Sequence, residues 1–176
     1  DKHASVSDQL FNTAKLGKTT FGELRKSIAQ AAPIAASYGV EIDQLLAAVA
    51  SLTKQGTPTA EAMTQIRAAI LGVSKVLGDG AFDGRTFQDA LKEVAAKANG
   101  SESKLRELVP EIEAVNGVLG MTGRNAKAAA SDLEVLQKST GATDTAFKKM
   151  NEEADNQMKL LGNNILAYLR PMGESI

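Results

Sequence analysis

Apolar residues recur at spacings of three and four along almost the whole chain, the period of helices that each bury one face. Val6, Leu10 and Phe11 open a short helix that stops near Gly17. Thr20 then stands as an N-cap with Glu23 three residues on, the signature of a capping box. Phe21, Leu24 and Ile28 follow on one face. Pro33 lacks the N–H that a helical ladder needs, so it is expected to end or kink that helix. Ile34 to Tyr38 add a turn or two before Gly39. Ile42, Leu45, Leu46, Val49 and Leu52 mark the next helix, closed by Gly56. Thr57-Pro58 reads as a start signal, a capping hydroxyl followed by proline at the first helical position. Met63, Ile66, Ile70, Val73 and Leu77 step on from it.

Gly78-Asp79-Gly80 interrupts the period, and Thr86 with Asp89 repeats the capping logic ahead of Phe87, Leu91, Val94 and Ala98. Asn99-Gly100-Ser101 is a turn. Leu105, Leu108 and Val109 precede Pro110, and Ile112, Val115 and Leu119 continue beyond it, after which Gly117, Gly120 and Gly123 are expected to loosen the chain. Asn125 to Lys138 is an Ala-rich helix carrying Leu133 and Leu136; Gly141 ends it, and a last helix runs from near Thr143 to about Arg170. β-branched residues are scattered and nowhere alternate with polar ones over a strand length. The pattern predicts an all-α fold: one compact domain over residues 1–176, core about 5–170, of about eight or nine helical segments with a long C-terminal helix.

Two features of the pattern go beyond single helices. Thr20-Phe21…Ile28…Ala32 and Thr86-Phe87…Val94…Ala98 are alike, and two amphipathic helices started by the same cap explain this better than a duplication. In the last helix, Phe147, Met150, Ala154, Met158, Leu161, Ile165 and Leu169 step by three and four, close to a coiled-coil seam. Core contact within the fold is the expected role of that seam, with self-association of two copies as the alternative.

Composition narrows the chemistry. With 176 residues, 43% hydrophobic and 23% charged, the chain is globular rather than disordered. There is no Cys, which excludes disulfides, thiolate metal sites and Cys nucleophiles. The one His, His3, stands near the start and leaves no basis for a Ser-His-Asp triad or an HExxH zinc site. Lys plus Arg number 20 and Asp plus Glu 21, a net charge of −1. Without a global positive field or many aromatics, sequence-specific or backbone-driven nucleic-acid binding is not expected. The longest dense apolar run, Leu45 to Ala50, is far short of the roughly 18 residues a spanning helix needs, so no membrane contact is expected from this segment. Asp1-Lys2-His3 shows no signal-peptide pattern, and with no initiator Met the chain is expected to be a piece of a longer protein.

Several stretches imitate known motifs. Asn12 to Thr19 nearly spells a P-loop, but Asn12 replaces the first Gly and a helix precedes it where a buried strand is required. A helix C-terminus at Gly17 accounts for it better. Asp79 to Gly84 hints at a calcium loop, yet the third position is Ala81 and the twelfth is Ala90; a turn between helices is expected. Glu102, Glu107, Glu111 and Glu113 sit on polar helix faces, where solvated charge is the ordinary role. Lys148-Lys149 followed by Glu152-Glu153 reads as a solvated face. No catalytic residue, cofactor or metal is expected.

A set of stretches in order carries a family likeness: Ala14 to Phe21; Ala32-Pro33-Ile34-Ala35-Ala36 with Tyr38-Gly39-Val40; Leu52-Thr53-Lys54-Gln55-Gly56 with Thr59 to Ala62 and Gln65 to Ile70; Gly120 to Ala126; and Gly141 to Met150. Together they resemble the helical region of phage tail tape measure proteins, the minor tail proteins of long-tailed phages and prophages, over about Ser5 to Leu169. The resemblance implies a long, largely helical protein in the tail tube lumen of the virion, and in the host cytoplasm during assembly, that sets tail length and leaves when DNA is injected. It implies tail tube, tail-tip or baseplate and tail assembly chaperone proteins as partners. Any membrane-active part is expected in flanking segments, and Leu166 to Met172 looks like the approach to one. The family offers no catalytic residues to carry over in this region. A cell-wall-degrading module and a helical adaptor domain are the rival readings.

Overall fold

The computed structural model describes residues 2–139, which fold into helices α1 (Lys2–Leu16), α2 (Phe21–Ser27), α3 (Ala32–Ser37), α4 (Ile42–Lys54), α5 (Thr59–Leu77), α6 (Phe87–Lys97), α7 (Glu102–Leu108), α8 (Ile112–Met121) and α9 (Ala126–Gln137). Short 3-10 turns at Ile28–Gln30 and Gly123–Asn125 join some of them, and the described residues contain no strand. The fold class is all-α, as the spacing predicts. These elements belong to the first of two compact units, Asp1–Thr140. The expected single domain over 1–176 and the long C-terminal helix extend outside the described residues; the last described helix, α9, has 12 residues.

The centre of the unit is α4. From Leu45 to Thr53 every residue is buried. A helix without a polar face has to be enclosed by others, and α1, α3, α5, α8 and α9 all pack on it. The layer beyond is the pair α5 and α8, the most extensive helix contact in the unit. Its closeness comes from small residues. A Cβ on Gly117 would lie 2.8 Å from the Gln65 carbonyl oxygen and 3.1 Å from the Ala69 Cβ, and one on Gly72 would lie 2.5 Å from a Val109 methyl. Gly117 and Gly120 were expected to loosen the chain, but both sit inside α8, Gly117 against the Gln65 backbone and Gly120 against the Leu52 side chain.

The caps behave as their residues dictate. Thr20 Oγ1 accepts from the Glu23 N–H at 3.2 Å while the Glu23 carboxylate accepts from the Thr20 N–H at 2.9 Å, a full capping box. Thr86 Oγ1 accepts from the Asp89 N–H at 3.1 Å. Gly56 takes φ +97° after α4, and Asn99 and Gly100, at φ +50° and +69°, make the left-handed turn between α6 and α7.

Four expectations change. The first helix is longer than the pattern suggested, 15 residues from Lys2. Pro33 starts a helix rather than ending one: α2 stops at Ser27, and Pro33 sits in the first turn of α3, where a missing N–H costs nothing. Thr57 is not a cap. Pro58 holds the N-cap position of α5 with no side-chain bond, and the Thr57 N–H donates back to Leu52. In α8 the buried face is Ala114, Val115, Gly117, Val118 and Met121, which turns Ile112 and Leu119 outward. Gly117 lies on the inner face because a Cβ there would press on the Gln65 carbonyl of α5.

Candidate functional site

The residues singled out from sequence, Phe147, Met150, Ala154, Met158, Leu161, Ile165 and Leu169, lie outside the described residues, as do Lys148-Lys149 and Glu152-Glu153. The motif imitations fall where a structural role explains them. Asn12 to Leu16 is the last turn of α1, the Gly17 N–H donates to Thr13, and the Asn12 amide donates to Ser139 Oγ at 3.0 Å. No strand precedes it. Asp79 to Gly84 is a turn with positive φ at Gly80 and Gly84. Among the described residues no three Asp, Glu or His side chains group so as to hold a metal ion.

A groove of about 640 Å³ lies at the C-terminal end of α8. Beside it, side-chain donors are fixed on backbone carbonyls. A helix leaves its last four carbonyls without intrahelical partners, and α8 ends at an extended Thr122 with no backbone cap. Each of the four carbonyls finds a side chain instead. Thr122 Oγ1 donates to Val118 at 2.7 Å, Asn125 Nδ2 to Leu119 at 3.3 Å, Gln55 Nε2 to Gly120 at 2.7 Å and Gln88 Nε2 to Met121 at 2.8 Å. Asn125 also donates to Gln55 Oε1 at 3.1 Å. Gln55 just after α4, Gln88 of α6 and Asn125 before α9 thus converge on one helix end. Sequence reasoning placed Gln55 and Asn125 in separate stretches of the family likeness but did not join them.

The arrangement is structural in its chemistry. The donors of Thr122, Gln55, Gln88 and Asn125 are engaged with carbonyls, and Glu102, which lines the groove, is paired with Arg106. Among the described residues Glu102 is the one carboxylate in the groove's lining. Other ionised groups stabilise helix ends and faces. A hydrogen bond from the Thr86 hydroxyl, helped by Lys92, holds Asp89 below its ordinary value against a smaller desolvation effect. Lys75 lowers Glu111, and Lys138 lowers Glu134, in each case chiefly by a side-chain hydrogen bond. The most buried charge is Asp132 on α9, which accepts from Ser51 Oγ at 2.9 Å and pairs with Lys54, fastening α9 to α4.

With the geometry in place, comparison decides the family. A family model described as phage-related minor tail protein matches residues 1–161. The chain belongs to the phage-related minor tail protein family. The match covers nearly the same residues as the likeness seen in the sequence. No curated protein and no solved structure matches the chain. Membership makes it a component of a phage tail, which implies association with other tail proteins. Among the described residues of this family member, no helix is long and apolar enough to cross a membrane.

Proposed function

We propose that the chain is part of a tape measure protein, a non-enzymatic structural component that sets tail length during assembly and leaves through the tube when DNA is injected. On this reading it works in the tube lumen and meets the tail tube, tail-tip or baseplate and assembly chaperone proteins. Family membership supports the tail role. The observation that shapes the proposal further is that the described helices fold back on a buried α4 instead of running on as one rod.

Geometry separates two versions of the role. A continuous helix of 176 residues would reach ~260 Å at ~1.5 Å per residue. A compact unit of 140 residues is only ~40 Å across. The segment then acts as a folded body that docks to tail proteins or serves during injection, and adds little to the ruler. In-frame deletion of residues 5–169 tests this. The proposal expects tails shortened by tens of Å at most, or failure of assembly or infection. Tails shortened by ~250 Å would reject the compact body in favour of an extended ruler.

A further inference from the structure

The outer face of α5 carries opposite charges at its two ends. Thr64, then Arg67 and Ala68, Leu71, and Ser74 with Lys75 follow at spacings of three and four, so they share one side of this 19-residue helix. They line a single concavity of about 440 Å³, together with Tyr38 after α3 and Glu111 and Glu113 at the start of α8. Leu71 is 36% exposed, Tyr38 37%, and Ile112, between the two glutamates, 42%. Lys75 Nζ donates to Glu111 Oε1 at 2.8 Å, and a Cβ on Gly72 would lie 3.4 Å from the Ala114 Cβ, so both glutamates stand beside the C-terminal half of α5. Arg67 stands about two turns earlier. Among the described residues neither Arg67 nor Glu113 enters an ion pair, and the Lys75–Glu111 pair is open to solvent. A cation and a carboxylate thus line one concavity without reaching each other.

We propose that two copies of this chain pair through α5, antiparallel about a twofold axis at Leu71. Charge complementarity argues for a second copy as the occupant. A twofold contact sets one patch against itself, so it suits a patch with opposite charges at its two ends. Antiparallel pairing about Leu71 sets Arg67, four residues before it, opposite Lys75, four residues after it. That is the end where Glu111 and Glu113 of the second copy stand, so each Arg67 meets carboxylates, twice over by symmetry. Ala68 falls opposite Ser74, and two small side chains let the helices close. Leu71 meets its own copy, with Tyr38 beside it, an apolar centre with a charged rim. Parallel helices would set Arg67 against Arg67. A uniformly acidic or basic partner would leave one end of the stripe facing like charge.

The pairing goes beyond the tail reading and does not depend on it. Sedimentation of the full chain over about 1–100 μM tests it. The proposal expects a species of twice the 18.5 kDa chain mass and none larger, because a twofold contact closes on itself. Leu71→Asp and Arg67→Glu should each weaken the pair by at least about tenfold, and adding Glu113→Arg to Arg67→Glu should restore it. The chain has no Cys, so Leu71→Cys is a direct probe. On mild oxidation it should link to a second copy at least about tenfold faster than Val135→Cys, a similarly exposed position on α9. A chain that stays monomeric, a larger assembly, a pair indifferent to Leu71→Asp and Arg67→Glu, a charge exchange that restores nothing, or equal linking at the two cysteines overturns the proposal.

Discussion

The segments that begin Thr20-Phe21 and Thr86-Phe87 share a cap and then part. In both, the threonine hydroxyl accepts from the N–H three residues on, and an acidic side chain answers it. Yet Phe21 is 53% exposed and Phe87 is 2% exposed. The difference lies in what surrounds each helix. The Phe87 N–H donates to Gln44 Oε1 of α4 at 2.6 Å, and its ring packs on Phe82, which meets Tyr38 edge-on. Helix α6 lies against α5 and α8 and runs for 11 residues. Helix α2 has seven residues before the backbone tightens at Ile28, and only Leu24 and Ser27 of it are buried. A cap is a local device and says where a helix starts; burial is set by neighbours far away in sequence. The two helices also spend charge differently. Those of α6 bind one another and Arg85, whereas in α2 Glu23 is engaged in its own cap and Arg25 and Lys26 are exposed.

That contrast can be broken in graded ways. Phe87→Ala should cost ~3–5 kcal/mol by chemical denaturation, against less than ~0.5 kcal/mol for Phe21→Ala. Equal losses would mean that Phe21 is covered. Gln44→Ala removes the acceptor that α6 has and α2 lacks; ~1–2 kcal/mol should go with the unpaired Phe87 N–H. Thr20→Ala and Thr86→Ala should cost about the same, ~1 kcal/mol each, because both caps are local. A large excess for Thr86 would show that its cap also carries tertiary packing.

The smallest effect is acidic. Asp89 is held below 3.8 in the folded state, so its contribution is complete above that value and fades as pH falls through the lower folded one. Asp89→Asn should therefore lower stability slightly at neutral pH, by well under ~1 kcal/mol for so exposed a group. The gap from the unmodified chain should close in acid. A gap that widens below pH 3.8 would reverse the sign.

How much of this was legible follows from the range of each interaction. Helix starts at Thr20 and Thr86 and stops at Gly56 and Gly100 were readable, because a cap involves residues three or four apart. Pro33 was read as a stop although it also suits a first turn, and nothing within the segment decides between them. Gly117 looked like a breaker. Its purpose is visible only once Gln65 is known to lie opposite. The donors at the end of α8 were hidden for the same reason. Gln55 and Gly120 are 65 residues apart, and a glutamine on a helix looks solvated until the partner carbonyl appears. The seam from Phe147 to Leu169 was legible as a period, but it lies outside the described residues.

The central claim is that a shared cap does not make α2 part of the core as it does α6, so the fold does not depend on the exposed side chains of α2 and the end of α1. The most direct test is the melting temperature of the full chain carrying Lys15→Gln, Lys18→Gln, Phe21→Ser, Arg25→Gln and Lys26→Gln together. Each kcal/mol is worth roughly 2–4 °C in a protein of this size, so the expected shift is within about 3 °C. A fall of about 10 °C or more would show that these side chains hold the fold together and would contradict the account.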